Sequence, residues 1–286
     1  MLIDVLFPLL VPSLVQGLIL ALVALGIMIP FKILNFPDLT SEGSYPLGGA
    51  ACASMIALGV HPGISTLVAC ILAGLAGICT ALIHLRLRIN TLLAGIIVST
   101  MIYSINLRLM GKPNIALFEY ETLFSHIINE QIVRMIILLG INLIIIIPIL
   151  LYFFTEKGLA MRSVGFNPEF AQKCGINVER NTIIGLFIGN ALCGLAGSII
   201  VQYQVYADIA MGIGIVVHAL AALMIGEVVL NPTSITKQIL APFVGALIYQ
   251  QIQGFALTLG FAASDLKFLT GLIVLLVLMF KRWRFL

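Results

Sequence analysis

An all-α polytopic membrane bundle of about nine transmembrane helices (eight to ten), with its N-terminus outside and its C-terminus cytoplasmic, is the architecture this sequence predicts. Three observations lead there. Hydrophobic residues make up 61% of the 286 and charged residues only 9%, a balance far outside that of soluble domains. The apolar residues gather into runs of roughly 20, the length that crosses the hydrocarbon layer as helix at about 1.5 Å per residue. The period-2 alternation of a membrane β-barrel is absent from those runs.

Taken in order, the runs are Leu9–Ile29, Ser44–Leu58, Ile64–His84, Leu92–Leu109, Ile132–Phe154, Ile183–Tyr203, Ile213–Leu230, Ile239–Leu259 and Leu266–Phe280. No soluble domain fits between them, so 1–286 reads as a single transmembrane domain. The first run lacks a basic leader and a small-residue cleavage site, which marks a retained span rather than a signal peptide. The second begins behind a polar turn, Asp38-Leu39-Thr40-Ser41-Glu42, bracketed by Pro37 and Pro46, which break helix continuity. Irregular backbone survives at membrane depth only where it is buried in protein or lines a cavity. Asn35, Asp38, Thr40, Ser41 and Glu42 are therefore candidates for a translocation path; the alternative is an ordinary cap, with Asp38 or Thr40 closing the helix start.

The third and sixth runs share small residues, AGLAGICTALI from Ala73 and CGLAGSIIVQY from Cys193, and Gly185 with Gly189 adds a GxxxG spacing. Small residues let helix backbones approach closely in lipid, so both spans are expected between other helices. Their opposite directions also admit an inverted repeat. Asn106 and Arg108 near the end of the fourth run, and Asn190 in the sixth, read as satisfying local hydrogen bonds. In the seventh, His218 reads as a packed, hydrogen-bonded histidine, and Glu227 either as part of the path or as a chain end reaching water.

Orientation follows from the basic residues, since basic loops stay cytoplasmic. One orientation puts Lys32, Arg86, Arg88, Lys157, Arg162, Lys173, Arg180, Lys237, Lys281, Arg282 and Arg284 inside, and only Arg108, Lys112, Arg134 and Lys267 outside. Glu119, Glu121 and Glu130 then face outward. The net charge of +3 records that orientation; a basic stripe or aromatic platform for nucleic acid is missing.

Other chemistries find no footing. Cys52, Cys70, Cys79, Cys174 and Cys193 form no CxxC pair and none falls in an expected external loop, so they read as packed free thiols with no metal site. HExxH, nucleophile-elbow and paired-carboxylate signatures of a membrane enzyme are absent. So is a GxxxxGK[ST] phosphate loop, the sole Gly-Lys pair being Gly111-Lys112 ahead of Pro113. A transporter built this way takes its energy from a separate ATPase or, as the alternative, from an ion gradient acting on intramembrane acids, of which the spans offer little beyond Glu42 and Glu227.

The polar passage at 155–181 carries the grammar of a short helix. Asn167 suits the N-cap, Pro168 the first helical position, Glu169 the positive end of the dipole, Lys173 the negative end, and Gly175 the left-handed position past the end. Two turns do not hold alone in water. The segment needs tertiary contacts or a partner for its apolar Phe170, or else it rests on lipid headgroups.

GLAMRSVGFNPEFAQKCGIN, Gly158 to Asn177, resembles the cytoplasmic loop of permeases in the branched-chain amino acid and sugar family of ABC importers. It retains Gly158, Ala160, Arg162, Gly165, Asn167, Ala171, Gly175 and Ile176 of that pattern, with Ser163 in place of the usual Ala. Gly17 to Ala50, GLILALVALGIMIPFKILNFPDLTSEGSYPLGGA, is similar to the family's N-terminal helix and polar turn, and TSEGSYPLGGA looks most like the tryptophan/tyrosine-type subgroup. The resemblance covers nearly the whole chain. It implies a permease with no cofactor of its own, ATP and Mg being held by a partner ABC ATPase subunit that docks on Arg162, Gly165, Asn167, Pro168, Glu169, Phe170, Ala171, Lys173 and Gly175. It also implies a second permease copy in a homodimer, an extracytoplasmic substrate-binding protein that sets specificity, and a bacterial cytoplasmic (inner) membrane location. The cargo implied is a small solute such as an amino acid.

Overall fold

In the computed structural model, which describes residues 2–125, 131–262 and 265–283, each of the nine apolar runs falls on a helix. In chain order these are α1 (Leu2–Met28), α2 (Ser41–Ala57), α3 (Pro62–Leu87), α4 (Thr91–Met110) and α5 (Gln131–Phe154), then α8 (Val178–Gln204), α9 (Ile215–Leu230), α10 (Ile235–Thr258) and α11 (Leu266–Trp283). Two further helices, α6 (Glu156–Phe166) and α7 (Pro168–Lys173), occupy the polar passage. Six of the helices are long and apolar enough to cross a membrane: α1 with the turn after it, α3, α4, α5, α8 and α10. The chain is a polytopic helical membrane protein. Glu130 and Arg284, counted above among the oriented charges, lie outside the described residues.

Two departures from expectation have local causes. Pro46 does not bracket the polar turn but sits inside α2; it lies early enough that the helix continues around it, at the cost of the hydrogen bond its missing N–H would give to the carbonyl of Glu42. A two-stranded antiparallel ribbon, β1 (Asn114–Ala116) with β2 (Tyr206–Asp208), pairs Asn114 with Asp208. Three-residue strands leave no periodicity to read.

The residues divide into two compact units. One comprises Met1–Leu25, Asn129–Leu150 and Val217–Leu286. In it α1 and α10 run antiparallel, with Gln250 Nε2 donating to Gln16 Oε1 (2.6 Å) and Gln251 Nε2 to the Leu10 carbonyl (3.2 Å). Asn142 of α5 donates to the Leu18 carbonyl (3.1 Å). His218 Nδ1 lies 2.6 Å from the Tyr249 hydroxyl, which also meets Thr270 and Gln253, so His218 is a hydrogen-bonded histidine as expected.

The other unit comprises Gly26–Ile128 and Leu151–Val216. Here the two small-residue surfaces meet each other. The pairings Thr66 with Gln202, Ala73 with Gly194, and Gly77 with Leu186 show that α3 and α8 run antiparallel. A Cβ on Gly194 would overlap that of Ala73, so the approach exists because neither residue carries more. Lipid provides no hydrophobic drive for helix association, and close van der Waals packing of this kind takes its place.

Buried along most of its length, α2 runs parallel to α8, matching Ser44 to Asn190 and Cys52 to Gln202. It is parallel to α4 as well, with Gly43 against Ser99 and Ser54 Oγ donating to the Leu109 carbonyl (2.8 Å). Its first turn is therefore level with the middle of α4 and α8. The chain reaches that depth by a π-helical turn, Ile29–Ile33, and a non-helical stretch to Leu39. The β-ribbon joins the far ends of α4 and α8 and delivers the following turn, at Gly212, against the Glu42 carbonyl and Pro46.

Candidate functional site

The polar turn splits into an inward and an outward half. Asp38 accepts the Thr40 N–H at Oδ1 (2.8 Å) and Asn190 Nδ2 at Oδ2 (2.8 Å). Asn190 also donates to the Leu186 carbonyl (3.0 Å) and accepts from Ser44 Oγ (2.7 Å). The hydroxyls of Thr40 and Thr80 lie 2.6 Å apart. Asp38, Thr40, Ser44, Thr80 and Asn190 are all 0% exposed. Such a network ties the non-helical stretch before α2, α2 itself, α3 and α8 into one piece, because leaving any buried member unpaired costs about 1–3 kcal/mol. The N-cap residue of α2 is Thr40, and its side chain makes no capping bond; Asp38 instead closes the turn just before the helix.

Glu42, one turn on, points the other way, into a cleft of about 320 Å³ between the start of α2, the face of α4 carrying Ser99, Thr100, Tyr103 and Asn106, and the segment Ile209–Ile213. Ser99 and Thr100 return their hydroxyls to carbonyls of their own helix, Ile96 and Ile97. Among the described residues no hydrogen bond or ion pair reaches the Glu42 carboxylate. Asn106 is 0% exposed, yet neither its Nδ2 nor its Oδ1 has a partner. Buried amides are otherwise almost always bonded, and the expectation that Asn106 satisfies local hydrogen bonds is corrected here.

At the end of the unit where α3 finishes and α8 starts, α6 and α7 form the polar loop. Asn167 Oδ1 accepts the Phe170 N–H (3.0 Å), capping α7. Past its end Gly175 takes φ +81°, with Gly175 N donating to Gln172 (3.0 Å) and Ile176 N to Ala171 (3.0 Å), which is a full Schellman closure. Arg162 Nη2 reaches the last carbonyls of α5 at Phe153 (3.3 Å) and its Nε the Gly158 carbonyl (3.4 Å), a cation where the helix dipole is negative. A Cβ on Gly165 would overlap the Ile33 carbonyl oxygen. Ala171 is buried, whereas Phe166 is 94% and Phe170 62% exposed.

A family described as "Branched-chain amino acid transport system / permease component" matches residues 9–280. The chain belongs to that permease family. The permease is 38% identical over 262 residues, 91% of its own length and 87% of the other's, to "Tyrosine transport system permease protein" of Clostridioides difficile. It is 33% identical over 274 residues, 94% and 96% of the two chains, to "Uncharacterized protein RP368" of Rickettsia prowazekii. Against "Probable branched-chain amino acid transport permease protein LivH" of Methanocaldococcus jannaschii the identity is 24% over 234 residues, 75% of this chain and 72% of that one. No solved structure matches.

The permease thus sorts the residues expected to act. Of the path candidates, Glu42 alone lines the cleft; Asp38 and Thr40 sit in the buried network, Ser41 is buried at the helix start, and Asn35 is exposed beyond the π-helical turn. Glu227 is nearly buried in α9 and belongs to the other unit. Of the loop residues, Arg162, Gly165, Ala171 and Gly175 shape and anchor the permease's loop, while Asn167, Pro168, Glu169, Phe170 and Lys173 are exposed on it. Sequence reasoning passed over Phe166 and Tyr103, and gave Asn106 only a local structural role. An aromatic just before an N-cap ordinarily folds back on the fourth helical residue; that fourth residue is Ala171, too small and too buried to receive it. Ser99, Tyr103 and Asn106 recur at helical spacing, which was the available signal for the cleft.

Proposed function

We propose that the permease carries an amino acid across the bacterial cytoplasmic membrane as one subunit of an ATP-driven importer, docked through α6 and α7 on an ABC ATPase that holds ATP and Mg. A second permease copy and an extracytoplasmic binding protein complete the assembly, and α2, α9 and α11 join the six long spans to make nine crossings with the N-terminus outside. The observation that carries this reading is the loop. It is capped at both ends and fastened to its unit through Arg162 and Gly165, yet it holds two phenyl rings, Phe166 and Phe170, away from the protein. A helix lying on headgroups needs only an apolar underside and tolerates tilt; a mechanical link needs a fixed base and an apolar tip. Lys32, Arg86, Arg88 and Arg180 gather at the same end, consistent with a cytosolic face, and Arg86 pairs there with Glu179 (3.8 Å). The tyrosine-transport name of one relative supports an amino acid as cargo.

The test is capture of the ATPase by tagged permease, with ATP hydrolysis and solute uptake measured in reconstituted vesicles. Phe170→Ala should weaken capture by about 2 kcal/mol, or roughly 30-fold, as an interface anchor does. Phe170→Asp should abolish it, because a carboxylate is costly to desolvate in an apolar groove. Wild-type capture and hydrolysis in Phe170→Asp would return the loop to the headgroup reading. Uptake driven by an ion gradient without ATP would favour a secondary transporter.

A further inference from the structure

We propose that the cleft at the start of α2 is a contact site for the transported solute, recognising a zwitterionic α-amino acid through its ammonium at Glu42 and its carboxylate at Asn106 and Tyr103. The assignment rests on the importer reading above and adds a ligand chemistry to it.

Depth comes first. The first turn of α2 is level with the middle of α4 and α8, so Glu42 stands well inside the unit, in a position where an ionisable side chain needs a reason. It is half-buried, and no protein group among the described residues pairs with its carboxylate. Charges in such surroundings are paired, and the complement to a single carboxylate is a compact cation. A primary ammonium is such a cation, with three donors on one atom.

Asn106 is the independent observation. Asn106 lines the same cleft, and its fully buried amide leaves both a donor and an acceptor unused among the described residues. Water could satisfy that amide but would not balance Glu42. A metal ion is a poor fit, because no group of three His, Cys, Asp or Glu converges among the described residues. The Asn106 Nδ2 and the Tyr103 hydroxyl are donors suited to a carboxylate, whereas Ser99 and Thr100 are committed to their own helix. A volume of about 320 Å³ is at the small end of ligand sites, and Pro46, Ile209 and Ile213 offer an apolar wall for a side chain.

The experiment uses the permease–ATPase complex in vesicles without the binding protein, so that selectivity read out is that of the membrane subunit. Thr100→Cys is introduced after replacing the five native cysteines, and its rate of maleimide labelling is followed with L-phenylalanine and L-leucine, their N-acetyl forms, and the corresponding amines lacking the carboxylate. A free amino acid should slow labelling at least threefold, the amine less, and the N-acetyl form not at all. Glu42→Gln should remove protection by amino acid and amine alike; Asn106→Leu should remove the advantage of the amino acid over the amine. Equal protection by N-acetyl forms, or protection that survives Glu42→Gln, overturns the assignment. Absence of protection in a complete assembly that still imports the same amino acid overturns the site and leaves the importer intact. A wild-type chain that neither captures ATPase nor imports either amino acid overturns the importer reading and the site with it.

Discussion

Asn190 and Asn106 are the same residue in two helices of one unit, both 0% exposed, and the protein uses them oppositely. Asn190 spends its amide on Asp38, Ser44 and the Leu186 carbonyl. The amide of Asn106 bonds to nothing among the described residues. Around Asn190 the side chains close on one another and join three helices to the non-helical stretch before α2; Asn106 borders a cleft that also holds Glu42, whose carboxylate is unpaired among the described residues. Burial alone does not distinguish a structural polar group from a receptive one. The number of partners does, and an unmet buried amide is held in place at a cost that only another molecule can relieve.

The contrast is most easily broken at Asn190. Asn190→Leu strips a bond from a buried carboxylate and another from Ser44, and should destabilise the permease by about 3 kcal/mol or more. Thermal unfolding in detergent should show the loss; stability equal to wild type would mean that the network is not what binds α2 to α8. Next in size is Asn106→Leu, expected to cut uptake about tenfold, or about 1.4 kcal/mol, with the unfolding midpoint unchanged or raised because two unmet polar atoms disappear. A fall in stability like that of Asn190→Leu would erase the distinction. Thr40→Val should cost about 1 kcal/mol or more, since its hydroxyl meets both Thr80 and the Asp38 carboxylate, and the double substitution with Thr80→Val less than the sum of the two singles, since the hydroxyls share a contact. Smallest and most local is Asn167→Ala, worth about 1 kcal/mol to α7 alone, read as faster hydrogen exchange at the Phe170 amide with the core unaffected.

Much of this was legible in the sequence where the signal is local. The apolar runs landed on helices because hydropathy and length suffice for that. The closure of α7 followed from Asn167, Pro168 and Gly175 because caps involve neighbours in the chain. The small-residue runs at Ala73 and Cys193 announced burial, although that they pack on each other depends on how α3 and α8 are brought together. The polar turn was recognised as special, but Asp38 and Glu42 looked alike. Their opposite directions arise because α2 starts at Ser41, leaving Asp38 in the non-helical stretch ahead of it and Glu42 on a helix. Asn106 and Asn190 were given one reading for the same reason: their partners lie, or are missing, on other helices.

The contact between Gly165 and the Ile33 carbonyl sets how a push at α7 is felt elsewhere. A side chain placed between two segments can swallow a shift of an ångström by changing rotamer, whereas touching backbones have no such slack. The joint between the loop and the π-helical turn therefore has almost no play. That joint fastens α6 to residues 29–33, a few positions ahead of Asp38 and the hydrogen bonds that seat the first turn of α2. Adding even a methyl group at Gly165 would wedge that joint open, and the loop could then turn without the cleft hearing of it.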